Sequence, residues 1–268
     1  MSEDDLATVL SNVASDARPA TRVKIANSPE TRAFLDVGLQ LLCDDLLDHR
    51  GPDLMDDHDA GTRLFTGLSQ ARLIERAEHE DAHREHPRML TVGMFRDRWR
   101  YKSRYTEDLI AYLLRPALVE HAIRDVADAA RGLPEDLPFT ELVRQLVARV
   151  MAVTLKDQLW SLQTVVWVAL PNHPLVQTFL KVQHEQWIAY WTATYERLAR
   201  RFDLQLRPEY TWHDVAEVFH ATAEGARLRA RVTGSAAVLS SGDDVLVGAI
   251  HMLVPGLFLN PESTARRS

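Results

Sequence analysis

The stretch that decides the fold is Leu90-Thr91-Val92-Gly93-Met94-Phe95-Arg96-Asp97-Arg98-Trp99-Arg100-Tyr101-Lys102-Ser103. Thr91 suits a helix N-cap, because its hydroxyl can take the first free backbone N–H groups of the short helix that follows. Between Arg88 and Tyr105 six cations stand against one carboxylate, Asp97, in a chain whose net charge is −7. Upstream the sign reverses: from Asp36 to Asp59 eight aspartates stand against Arg50. A negative chain is a poor polyanion ligand as a whole, but nucleic-acid binding needs only a local basic face. Most of the basic residues are arginines, which by itself reads as a composition bias rather than a role for each one.

Outward from this stretch the helical signals continue in both directions. Ser28-Pro29-Glu30 is a start signal, an N-cap serine with proline in the first turn, and Leu35, Leu39, Leu42 and Leu46 then mark one apolar face. That helix ends near His49, and residues 51–67 read as an acidic loop. A second helix is expected from about Ser69 to His86, stopped by Pro87. Another starts near Ser103, with Pro116 ending or kinking it. Beyond Gly132-Leu133-Pro134 a long helix is expected from Leu142 to Ala169, and Pro171-Asn172-His173-Pro174 forms a turn. The next helix runs to about Phe202. Thr211-Trp212-His213-Asp214 reads as a capping box for a helix to about Val232, and a last helix spans about 243–259. No segment sustains a two-residue alternation, so the chain is all-α. Residues 1–28 are expected to be a flexible tail, 29–115 a first domain and 116–260 a second.

Composition narrows the function. With 268 residues the chain can bury a core without staples, and its single cysteine, Cys43, excludes an internal disulfide or a cysteine metal cluster. No apolar run reaches the ~18 residues of a membrane span, and the acidic start lacks the basic region of a signal peptide. No membrane association and a cytoplasmic location are expected. No phosphate-binding or nucleophile-elbow motif is present, and no cofactor, structural metal or enzymatic activity is expected.

Short helices in the order one, two, turn, three suggest a helix-turn-helix, in which a small third helix enters the major groove while flanking cations grip phosphates. Here the chain resembles the TetR family of bacterial transcriptional regulators. Thr91 to Trp99 is similar to that family's recognition helix: Gly93 matches the family glycine, Phe95 the buried apolar position, Trp99 the aromatic packing the helix onto its neighbours, and Lys102 the phosphate-gripping lysine. Asp214 to Gly225 is similar to the penultimate helix of actinobacterial members. The spacer between the first two helices is longer and more acidic than in the family, Arg96 stands where tyrosine is common, and Arg98 where histidine is common. The resemblance implies an N-terminal helix-turn-helix domain of three helices plus a C-terminal helical bundle for effector binding and dimerisation. It also implies a ligand-responsive repressor, working as a homodimer on double-stranded DNA. Thr91, Val92, Gly93, Met94, Arg96, Arg98, Tyr101 and Lys102 are the expected DNA-binding residues. Val92 and Met94 either touch thymine methyls or pack against the second helix.

In the second half, Trp160 and Trp167 are seven apart and Trp187 and Trp191 four apart, so each pair shares a helix face. They read either as core or, with Gln183, as the wall of a pocket for a small apolar or aromatic effector. A different class of function is raised by His79-Glu80-Asp81-Ala82-His83, which matches the zinc-protease pattern H-E-x-x-H. Its neighbours Glu75, Arg76, Glu78, Arg84 and Glu85 describe a solvated helix instead of the dry wall of a catalytic cleft. A third class is a helical interaction protein that keeps the TetR-like scaffold without DNA binding.

Overall fold

The structure is a computed structural model and describes residues 4–48, 64–81 and 90–259. It is mostly helical. A 3-10 turn (Leu6–Thr8) precedes α1 (Pro19–Ala26), α2 (Pro29–Leu46), α3 (Gln70–Asp81), α4 (Val92–Arg98), α5 (Lys102–Leu113) and α6 (Pro116–Arg131). There follow α7 (Phe139–Lys156), α8 (Gln158–Ala169), α9 (Pro174–Arg201), α10 (Trp212–Thr233) and α11 (Val245–Leu257). The strands among the described residues are a two-residue antiparallel pair, β1 (Gln205–Leu206) with β2 (Phe258–Leu259). The chain forms two compact units: residues 1–118 with 158–180, and residues 119–157 with 181–268.

In the first unit α2 is the central element, packed by α3, α5 and α8. It starts as the sequence predicts, with the Ser28 hydroxyl accepting from the Thr31 amide and Pro29 in the first turn. Phe34, Leu35 and Leu42 on α2 share one core with Leu73 of α3, Leu109 of α5, and Leu162 and Val166 of α8. The acidic run is partly structural: Asp45 takes a two-pronged bond from Arg72 at 2.9 Å on each arm, and Asp44 pairs with Arg76 at 3.0 Å. Gly38 is required by packing, since a Cβ there would lie 2.0 Å from the Tyr105 hydroxyl.

Three expectations are corrected. The first 28 residues are part of the fold and not a tail, because Leu6, Leu10 and Val13 are buried in the core of this unit. Asp108 on α5 accepts from the Ser11 and Asn12 amides at 3.0 and 2.9 Å, and Asp4 joins Arg32 and Arg115 at 3.0 and 2.9 Å. The long helix through Ala169 is broken at Asp157, whose extended backbone (φ −77°, ψ 102°) ends α7 and lets α8 start afresh. The domain boundary also shifts: α8 and the start of α9 belong with the N-terminal helices, because Leu162, Val166 and Val176 complete their core.

In the second unit α7, α10 and α11 pack on one another. The Thr211–Asp214 capping box forms as read, each residue's side chain taking the other's amide. Asp244 caps α11 by accepting from Leu246. No helix among the described residues is long and apolar enough to cross a membrane.

Candidate functional site

The short helix α4 is held rigidly from below. Thr91 caps it, its hydroxyl accepting from the Met94 amide at 3.2 Å. Phe95 and Trp99, both fully buried, close an aromatic cluster with Phe34 of α2 and Tyr105 of α5, with ring centroids 5.0–6.1 Å apart. The Trp99 indole N–H donates to Asp108 Oδ2 at 2.8 Å, and the Tyr105 hydroxyl donates to the Phe34 carbonyl at 2.7 Å. Burial pushes the Tyr105 phenol far above its ordinary range. These rings fix the helix against α2 and α5 without using its outer face.

The outer face carries Thr91, Val92, Gly93, Arg96 and Asp97, continuing into Arg100, Tyr101, Lys102 and Ser103, all exposed. Val92 and Tyr101 are large apolar or aromatic side chains left in solvent. The guanidinium groups of Arg100 and Arg104 both lie 5.6 Å from the Tyr101 ring centre, a basic-aromatic platform at the end of α4. Among the described residues Arg96 and Arg100 make no ion pair. Lys102 Nζ donates to the Thr66 carbonyl at 3.0 Å, and partial burial lowers its pKa. Met94 is half-buried and packs against the core, so of the two apolar residues only Val92 is fully presented.

Arg98 is placed differently from the expectation of a groove-facing side chain. It turns back onto the start of α2, where Nε donates to Thr31 Oγ1 at 2.9 Å and Nη2 to Ser28 Oγ at 3.0 Å and Glu30 Oε2 at 3.1 Å. Nη1 donates to the Met94 carbonyl at 3.1 Å. Burial lowers its pKa, while Glu30 and Asp97 oppose that shift. Arg98 is a clamp between α4 and α2. Arg104, not singled out from the sequence, joins the exposed basic set instead; its spacing of four from Arg100 was the available signal.

The second unit encloses a cavity of ≈ 850 Å³ including its mouth. Leu142, Leu146 and Val150 of α7 form one wall, and Trp191 and Tyr195 of α9 another; Phe219 and His220 of α10 and Ile250 of α11 close it. Trp191 stacks on Tyr195 at 5.2 Å and 17°, and Phe219 meets Tyr195 edge-on at 5.3 Å and 88°. Beside it His220 Nε2 lies 3.5 Å from Glu224 Oε1. Burial would raise the Glu224 carboxyl, but the His220 hydrogen bond and the charges of His220, Arg227 and His184 outweigh it and hold it below its usual value. Burial brings Arg227 down to about 10 against the pull of Glu224 and Asp157.

The tryptophan expectation is corrected here. Trp160 and Trp167 stand on α8 in the first unit, Trp187 and Trp191 on the part of α9 in the second, so the four do not wall one pocket. Of the five residues named, Trp191 alone lines this cavity. Trp187 is buried and stacks on His220 at 6.3 Å, and Gln183 is buried on the same helix. Aliphatic residues on α7, one helical face in the sequence, supply much of the wall instead. Of the zinc-like motif, His79 lies on α3, while the side chains of Glu80 and Asp81 and residues Ala82, His83 and His86 lie outside the described residues. Among the described side chains no group of three or more histidine, cysteine or carboxylate residues is placed to hold a metal ion. Compared with family models, curated proteins and solved structures, the chain matches none of them.

Proposed function

We propose that the chain is a ligand-responsive transcriptional regulator of the TetR type, a homodimeric repressor that reads double-stranded DNA through α4 and its basic exit. The observation that carries this reading is the exposed set Val92, Arg96, Arg100, Tyr101 and Lys102 on a short helix pinned by the Phe95–Trp99–Tyr105 cluster. Rigid backing with long, exposed cations is what a groove-reading helix needs, since phosphate contacts position it and side chains at its face touch base edges. Gly93 supports the same reading. A Cβ there would meet nothing nearer than Thr91 Oγ1 at 3.8 Å, so packing does not demand glycine. Close approach of a partner surface does.

Dimerisation is supported by α10 and α11. His251 is the only polar side chain in Val245–Leu257, and Leu228, Val232 and Met252 are large and exposed. A helix apolar on all sides calls for cover on all sides. The cavity of the second unit supports a small apolar or aromatic effector. Repression and release would then follow from a shift between two dimer geometries, each favoured by one ligand.

The test is binding of the full chain to genomic fragments at two salt concentrations, beside Arg96→Ala/Arg100→Ala. The expected result is enrichment of specific fragments, with affinity falling steeply with salt. The double substitution should lower the slope of log K against log salt by about 3–4, for four arginines lost per dimer. A folded dimer that enriches no fragment over background overturns DNA binding in favour of a helical interaction protein.

A further inference from the structure

The cavity of the second unit carries a more specific chemistry than its apolar wall alone. Tyr195 stands in that wall between Trp191 and Phe219, and its hydroxyl makes no hydrogen bond to any described residue. Burial pushes its phenol well above the ordinary value, so at neutral pH it is an O–H donor and never a phenolate. His220 is the other polar side chain of the wall, and its Nε2 already faces Glu224. No lysine, arginine or carboxylate lines the cavity. An anion entering it would lose its hydration without meeting a cation, and a cation would meet no carboxylate. A pure hydrocarbon would enter, but it would leave the Tyr195 donor shut away from water and unmet. The paired rings of Trp191 and Tyr195 present a flat aromatic surface against which a planar molecule stacks.

We infer that this cavity takes a neutral, flat, largely apolar molecule with one hydrogen-bonding oxygen, a hydroxyl or carbonyl, that accepts from the Tyr195 hydroxyl. The inference rests on reading the second unit as the effector-binding unit. It names the effector's chemistry and makes Tyr195 the residue that distinguishes it from a bare hydrocarbon.

The experiment is isothermal titration calorimetry of the full chain with 2-naphthol, naphthalene and 2-naphthoate. The expected result is one site per chain, with 2-naphthol binding about tenfold tighter than naphthalene and 2-naphthoate not binding. In Tyr195→Phe, 2-naphthol falls to the affinity of naphthalene, which is itself unchanged. Ala223→Trp, which fills the cavity from α10, removes binding of all three; circular dichroism establishes that both variants keep their helices. Equal binding of 2-naphthoate, an unchanged 2-naphthol preference in Tyr195→Phe, or no binding of any probe to the folded chain overturns the inference. The two readings fail separately. If 2-naphthol binds in a Tyr195-dependent way and leaves DNA affinity unmoved, the regulatory reading falls and the cavity's chemistry stands.

Discussion

Replacing Asp108 with asparagine tests what holds α4 in place. Asp108 and Trp99 are both fully buried, and the indole donates to Oδ2 at 2.8 Å. On its other oxygen Asp108 accepts from the amides of Ser11 and Asn12. An asparagine keeps an oxygen for those two amides, but its NH₂ then faces the indole N–H, donor against donor. A hydrogen bond to a charged acceptor contributes about 1.5–3 kcal/mol, and leaving a buried donor unmet costs about 1–3 kcal/mol. Asp108→Asn should therefore destabilise the protein by about 3–4 kcal/mol, read from urea unfolding curves. In a Trp99→Phe background the clashing donor is absent, and the same substitution should cost only about 1 kcal/mol, a coupling of about 2–3 kcal/mol. Amide exchange at Ser11 and Asn12 should rise little in either variant. If Asp108→Asn costs the same in both backgrounds to within ~0.5 kcal/mol, the Trp99–Asp108 bond does not hold α4.

Other substitutions separate binding from stability. Arg98→Ala should lower stability by about 2 kcal/mol because the clamp onto Thr31, Ser28 and Glu30 is lost, whereas Arg96→Ala and Arg100→Ala should stay within about 0.5 kcal/mol of wild type in thermal unfolding yet weaken DNA binding. Gly93→Ala should stabilise the fold by about 0.5–1 kcal/mol and weaken DNA binding in a gel-shift titration; tighter binding would sink the close-approach argument. Burial would raise the Asp4 carboxyl, but the Arg32 hydrogen bond and the charges of Arg115 and Arg32 bring it below its ordinary value of 3.8. Its stabilisation is therefore present above pH 3.8 and is lost as pH falls through the lower folded value. Asp4→Asn should cost about 1 kcal/mol at neutral pH, a figure reduced for solvent screening, and its acid-unfolding curve should converge on that of wild type below pH ~3.8.

Local signals were the most legible part of the sequence. Ser28, Thr91 and Thr211 cap the helices they precede because capping depends on residues three apart. What depends on distant partners could not be read. Leu6, Leu10 and Val13 lack a long helical period, and what orders them is Asp108, some hundred residues downstream. Arg96, Arg98 and Arg100 look alike as a run of alternating cations. Only the angular position of Arg98, three residues after buried Phe95 and beside buried Trp99, aims it at Glu30. The face of α7 that lines the cavity shows its period in the sequence. Whether such a face meets a filled core or an open space depends on how four helices fit together, which no local pattern encodes. The break at Asp157 was hidden because residues on both sides continue the same apolar rhythm.

The discontinuity of the two units bears on how the protein is made. The core around α2 takes Leu162, Val166 and Val176 from a segment that follows two helices belonging to the other unit. During synthesis the first 118 residues therefore leave the ribosome with that part of α2 bare, and stay so until about sixty more have emerged. The nascent chain must shelter that surface while α6 and α7 are translated. A fragment ending at residue 118 would be a trapped stage of biosynthesis, short of its last helix, rather than a separable DNA-reading module.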